Sequence, residues 1–183
     1  MLTSADRELL DGLVREMGPR LAGYLRHSFG RRVDVDEVVA ETFCRAAGNI
    51  AALRRAERKD LYLLRVARNL CLDSFRRKPV ELVSDERLEA ARGDDDAPEM
   101  MVDEERRTAL LAAVAELPDS QREIVVLRMS AGLTFEEIAD LLKMPLGTAL
   151  SRMHVAVQRL RERLLNDEES QKPRRAGVRT KSV

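Results

Sequence analysis

The 183-residue chain has no tryptophan, and only 3% of its residues are aromatic. With so few rings, any core must be filled by aliphatic side chains. Cysteine occurs only at Cys44 and Cys71, which excludes a disulfide framework and lacks the clustered spacing of a zinc site. Both lie in apolar helical contexts and are expected as reduced core thiols. No apolar run approaches the roughly 20 residues that span a bilayer. Residues 1–25 lack the apolar core of a signal peptide and carry Asp6, Arg7, Glu8, Asp11, Arg15 and Glu16. These absences point to a soluble, cytoplasmic protein with no membrane insertion. Alternating β-branched stretches are also missing, so no sheet is expected. No nucleophile–base set, phosphate-cradling glycine loop or carboxylate pair supports an enzyme. His27 and His154 fall in different predicted domains without a second ligand at useful spacing, so neither a metal nor a cofactor is expected.

Leucine, alanine, valine, arginine and glutamate are abundant, a mixture that favours helices. The formal charge is zero, but the charges are unevenly placed. Residues 1–78 carry net +5, residues 79–105 net −9, residues 106–165 net +2 and residues 166–183 net +2. An acidic middle thus separates two basic flanks, a distribution that keeps nucleic acid open as a ligand.

Apolar periodicity predicts a helix over 5–29, with Gly18-Pro19 breaking or kinking it. A second helix starts at Asp34 or Asp36 and stops at Gly48-Asn49, with Val35, Val38, Val39, Thr42, Phe43 and Ala46 as its stripe. A third spans about 59–77. Its predicted inner face is Leu63, Leu64, Val66, Ala67, Leu70, Cys71, Ser74 and Phe75. Tyr62, Arg65, Arg68, Asn69, Leu72, Asp73 and Arg76 project the other way, with Arg77 and Lys78 following. Several arginines beside an aromatic and an amide suit phosphate neutralisation and base contact. A solvated arginine-rich face is the plainer alternative. Residues 79–102 lose periodicity and read as a flexible acidic linker, with an acidic helix around SDERLEAA as the alternative for its first half.

Order is expected to resume near Asp103, with helices around Leu110–Leu117 and after Pro118. Thr134-Phe135-Glu136-Glu137 fits a capping box. The break at Lys143-Met144-Pro145 leads to a longer helix. At 100° per residue, Leu146, Ala149, Leu150, Met153, Ala156, Val157, Leu160 and Leu164 share its predicted inner side. Thr148, Ser151, Arg152, Val155, Gln158, Arg159 and Glu162 share the outer one. A short capped helix, a tight turn and a second helix bearing small polar and arginine side chains make a helix-turn-helix pattern, whose second helix enters the DNA major groove. An ordinary helical hairpin is the alternative at this point. The fold is therefore expected to be all-α, with two small helical domains, 1–78 and 103–165, joined by a tether at 79–102 and followed by a disordered basic tail, 166–183.

The stretches DVDEVVAETFCRA (34–46), LYLLRVARNLCLDSFRRK (61–78) and LPDSQREIVVLRMSAGLTFEEIADLLKMPLGTALSRMH (117–154) together resemble bacterial RNA polymerase sigma factors of the extracytoplasmic-function (ECF) group. The likeness covers about 5–165 and places conserved regions two and four in order. It implies a transcription initiation factor that binds core RNA polymerase and promoter DNA. By this resemblance Asp36, Glu37, Val38, Glu41, Thr42 and Phe43 meet the clamp helices of the largest polymerase subunit. Tyr62, Arg65, Arg68, Asn69, Asp73, Arg76 and Arg77 open and read the minus-ten element, where a base leaves the stack for a pocket. Thr134, Glu136, Thr148, Ser151, Arg152, His154, Val155 and Arg159 fall on the helix-turn-helix that reads the minus-thirty-five element. The same domain is expected to meet the flap of the second-largest subunit, and an anti-sigma factor is an expected partner. Where relatives often carry basic residues, this chain has Leu150, Val155 and Val157. Leu150 and Val157 are expected to widen the core. Val155 lies mid-face and can meet a thymine methyl group. A sigma-like decoy for an anti-sigma factor and a stand-alone helix-turn-helix regulator are the other readings.

Overall fold

The computed structural model describes residues 2–77 and 98–171, with residues 98–105 and 166–171 described as helical backbone only. Among the described residues every regular element is helical. Most of the expected 79–102 tether, and with it the alternative of an acidic helix around SDERLEAA, lies outside them.

The first helix, α1 (Ser4–Phe29), starts at a reciprocal cap. Asp6 N–H donates to Thr3 Oγ1 over 3.2 Å, and Thr3 N–H donates back to Asp6 Oδ2 over 2.8 Å. Leu10, Leu13, Met17, Leu21, Tyr24 and Leu25 recur at three- and four-residue intervals and are buried. Of the break or kink expected at Gly18-Pro19, the break is corrected: α1 runs through Pro19 as one helix. Proline removes a single backbone donor, and the burial of Met17 and Leu21 on either side holds the helix together.

A 3-10 turn (Gly30–Arg32) leads to α2 (Val35–Gly48), capped by Asp34, whose side chain accepts from Glu37 N–H. A short helix missed by periodicity, α3 (Ile50–Arg55), precedes α4 (Lys59–Arg77). Helix α4 packs on α1 and α2 through Leu63, Leu64, Ala67 and Cys71. Two expectations fail here. Ser74 is exposed, and Cys44 is exposed while Cys71 is buried. The buried line of α2 runs through Thr42 and Ala46, which turns position 44 outward.

The second half contains α5 (Pro98–Ala115), α6 (Asp119–Met129), α7 (Phe135–Leu142) and α8 (Leu146–Gln171). Helix α5 begins five residues before the expected Asp103, with proline at its first position, where the missing donor is not needed. Helix α8 continues six residues into what was expected as a disordered tail.

The halves are not held apart. Helix α1 packs on α5 and α6, and α4 touches α7. Buried residues of both halves, from Leu10 to Ala156, form one continuous core.

Candidate nucleic-acid interface

The helix-turn-helix is set by local chemistry at both ends of α7. Thr134 Oγ1 accepts from Glu137 N–H at 3.2 Å, and a Glu137 carboxylate oxygen accepts from Thr134 N–H at 2.9 Å. The backbone N–H and Thr134 hold the Glu136 carboxyl below its usual range. At the other end Met144 N–H reaches back to Ala139 O at 2.9 Å, with Lys143 in the left-handed region at φ 54°. This six-to-one closure ends the helix within one residue. Pro145 then accepts from Thr148 N–H and starts α8. Leu133, Ile138, Leu141 and Leu142 are buried beneath the turn.

The inner side of α8 differs from the helical-wheel expectation. Its buried line is Ala149 and Ala156, both 0% exposed, flanked by partly buried Met153 and Leu160. Two alanines seven residues apart permit a close crossing with α6 and α7, which larger side chains would prevent. The helix is therefore rotated. Leu146, Leu150 and Val157, expected inside, are 40%, 45% and 41% exposed. The outward face includes Ser151, His154, Gln158 and Arg161. Thr148, Arg152 and Val155 lie on its partly buried shoulder. Arg159 is exposed and donates to Gln121 Oε1 at 3.2 Å, and Thr134 and Glu136 are exposed at the start of α7.

Along α4, Arg65, Asn69, Arg76 and Arg77 are exposed, and Asp73 pairs with Arg76 at 3.2 Å. Tyr62 packs partly against the core. Arg68 is tucked in: its side chain is 17% exposed, and Nε lies 2.9 Å from Glu123 Oε1 of α6. Glu123 also accepts from Tyr24 Oη of α1 at 2.8 Å. Burial is the main cause that raises the Tyr24 hydroxyl pKa well above its ordinary value, with Glu123 adding to it.

Three further ion pairs cross between the halves. Arg65 meets Asp140 at 2.6 Å, Arg32 meets Asp119 at 2.6 Å, and Arg58 bridges Asp60 and Glu137. The Arg58 hydrogen bond holds the Asp60 carboxyl below its usual range. Arg20 adds a 3.0 Å bond to Ala131 O. Sequence periodicity gives no sign of these pairs, because nothing local links these arginines to carboxylates 55 to 87 positions away.

The remaining candidates lie on α2. Asp36, Glu37 and Glu41 are exposed, and Val38 and Phe43 are partly buried. Thr42 is fully buried and donates to Val38 O at 2.7 Å, so it supports the helix from below. Val14, Pro19 and Ala22 of α1 face Val39 and Phe43 of α2 across an apolar groove.

The two helical halves, the second carrying a helix-turn-helix, define an all-α class of protein with a nucleic-acid-binding motif. The family model "Sigma-70 region 2" matches residues 13–79, and "Sigma-70, region 4" matches residues 113–162. The chain is 34% identical over 132 residues to the RNA polymerase sigma-E factor of Streptomyces antibioticus, covering 72% of this chain and 71% of that one. It is 28% identical over 141 residues to the ECF RNA polymerase sigma factor SigW of Bacillus subtilis, covering 72% and 75%.

Among solved structures, it matches the sigma factor RpoE from Bartonella quintana, in complex with the anti-sigma factor NepR. That match has a TM-score of 0.65 and 20% identity, and covers 88% of this chain and 99% of that one. It also matches CnrH in complex with the cytosolic domain of CnrY, with TM-score 0.60 and 26% identity over 88% and 90%. The first of these speaks for the fold alone.

The chain belongs to the ECF group of sigma-70 RNA polymerase sigma factors. It is a transcription initiation factor that directs polymerase to promoters. No helix among the described residues is long and apolar enough to cross a membrane.

Proposed function

We propose that the work is divided among three helices. Helix α2 docks on the clamp helices of the largest polymerase subunit through Asp36, Glu37, Val38, Glu41 and Phe43. Helix α4 opens and reads the minus-ten element with Arg65, Arg68, Asn69, Arg76 and Arg77, while Asp73 orients Arg76 and Tyr62 supports the face. Helix α8 reads the minus-thirty-five element with Ser151, Arg152, His154, Thr148, Val155 and Arg159, and Thr134 and Glu136 flank the groove from α7. The second-largest subunit's flap meets the same half. The protein has no catalytic chemistry of its own and works where the polymerase is, in the cytoplasm.

The single observation that carries this reading is the outward line Arg65, Asn69 and Arg76 on α4. It sets an amide between two guanidinium groups on one helix face, groups suited to base and phosphate contact. An anti-sigma factor is a further partner of this proposal; the apolar groove between α1 and α2, lined by Val14, Pro19, Ala22, Val39 and Phe43, suits a protein contact. The acidic residues Asp94, Asp95 and Asp96 are proposed to lie along basic polymerase channels. Their replacement by asparagine lowers initiation on this reading.

Arg65 and Arg68 cannot serve DNA while they hold Asp140 and Glu123. Separation of the halves therefore precedes minus-ten reading. The test is transcription by purified core polymerase plus the full chain on genomic DNA. Arg65→Ala with Asn69→Ala should abolish specific transcripts while core binding persists. Unchanged transcripts from that variant would overturn the assignment of α4.

A further inference from the structure

The recognition helix presents an apolar pair where a DNA reader ordinarily presents polar side chains. Leu146 and Leu150 are 40% and 45% exposed, one turn apart, at the start of α8. They cannot be core residues, because the buried line runs through Ala149 and Ala156. No carboxylate occurs between Asp140 and Glu162, whereas Lys143, Arg152, Arg159 and Arg161 do. The stretch that carries the apolar pair is thus free of carboxylates and bears four basic side chains, which favours an anionic partner over a basic or uncharged one. Ser151 and His154 stand exposed beside Leu150 and supply hydrogen-bonding groups.

In a helix-turn-helix the first turns of the second helix meet base edges. In the major groove the only apolar group a base pair displays is the C5-methyl of thymine. We propose that Leu150, backed by Leu146, is a specificity-determining side chain that selects thymine in the upstream promoter element by burying its methyl group. Val157 lies seven residues on, about 10 Å along the helix axis, so it falls near the edge of the roughly 12 Å groove and meets sugar rather than bases. The position expected from sequence to do this, Val155, is on the partly buried shoulder. This inference rests on the reading of α8 as the upstream-element helix.

The test uses holoenzyme assembled from core polymerase and the full chain. Bound duplexes are enriched from a random library. Each thymine of the upstream block is then replaced singly by deoxyuridine, which removes only the methyl group. At one or two positions the wild-type protein should lose about fourfold in affinity, the factor that corresponds to about 0.8 kcal/mol for one buried methyl. Leu150→Ala should bind those deoxyuridine and thymine duplexes equally well. Leu150→Lys should bind more tightly overall, with a steeper salt dependence, and lose the thymine preference. Leu150 is exposed, so both variants should keep wild-type helix content.

Deoxyuridine without effect at every position, or a Leu150→Ala protein that keeps the full methyl dependence, would overturn the proposal while leaving promoter recognition intact. A holoenzyme that enriches no sequence would overturn the reading of α8 and this proposal together.

Discussion

Removing the Glu123 carboxylate should open the molecule. Glu123 is 13% exposed and receives hydrogen bonds from both Arg68 and Tyr24, the first a charged pair at 2.9 Å. In Glu123→Ala the closed form keeps a poorly solvated guanidinium and a buried hydroxyl without their acceptor. The open form exposes both to water, so the cost falls on the closed form alone. Breaking one side of a fully buried pair costs about 3–5 kcal/mol. Arg68 and Glu123 retain some solvent, so roughly 3 kcal/mol is appropriate, or about a 150-fold shift from closed to open. By contrast, Arg65 and Asp140 are 48% and 72% exposed. Asp140→Asn should then cost about 0.5 kcal/mol, roughly a twofold shift, and less in high salt.

The assay is single-molecule energy transfer. One dye sits on the exposed Cys44 of α2 and another on a cysteine introduced by Gln158→Cys on α8. Glu123→Ala should raise the ratio of low- to high-transfer molecules about 150-fold at unchanged helix content, and Asp140→Asn only about twofold. Equal effects from the two variants would refute the reasoning, because burial would then not govern the strength of the clasp.

Other outcomes follow from the same geometry. With native protein, iodoacetamide at pH 8 should add one label, at Cys44; burial pushes the Cys71 thiol pKa up to about 12, and two labels would contradict its placement. Above pH 10.0 an unfolded tyrosine ionises while buried Tyr24 resists, its pKa being raised. Stability present below that pH is lost as the pH rises toward the folded value. Tyr24→Phe should remove that component of the alkaline loss in a denaturation series followed by circular dichroism. Thr134→Ala should cost about 1 kcal/mol in urea unfolding, through the cap of α7, and Thr134→Ser far less.

Much of the architecture was legible because local rules fix it. The cap at Thr134, the start of α2 at Asp34 and the turn at Lys143-Met144-Pro145 each depend on residues within a few positions. What escaped depends on distant partners. Pro19 was read as breaking or kinking α1, yet the helix continues through it, with Met17 and Leu21 buried on either side. The inner side expected for α8 included Ala149 and Ala156, which are buried, but it was drawn too wide, because Leu146, Leu150 and Val157 are exposed. A wheel centred on those alanines moves Leu150 and Val157 to the edge of the inner side, about 110° and 90° from its centre, but leaves Leu146 within it. The clasp between α4 and the α6–α7 carboxylates could not be read at all, since it joins segments on either side of the acidic middle.

The central claim is that this chain confers promoter choice on polymerase through α4 and α8 acting together. The most direct measurement maps transcript starts made by purified core enzyme on genomic fragments, with and without the full-length protein. The account predicts new, discrete starts, each preceded by two shared sequence blocks at fixed separation. Start sites identical to those of core enzyme alone would contradict it.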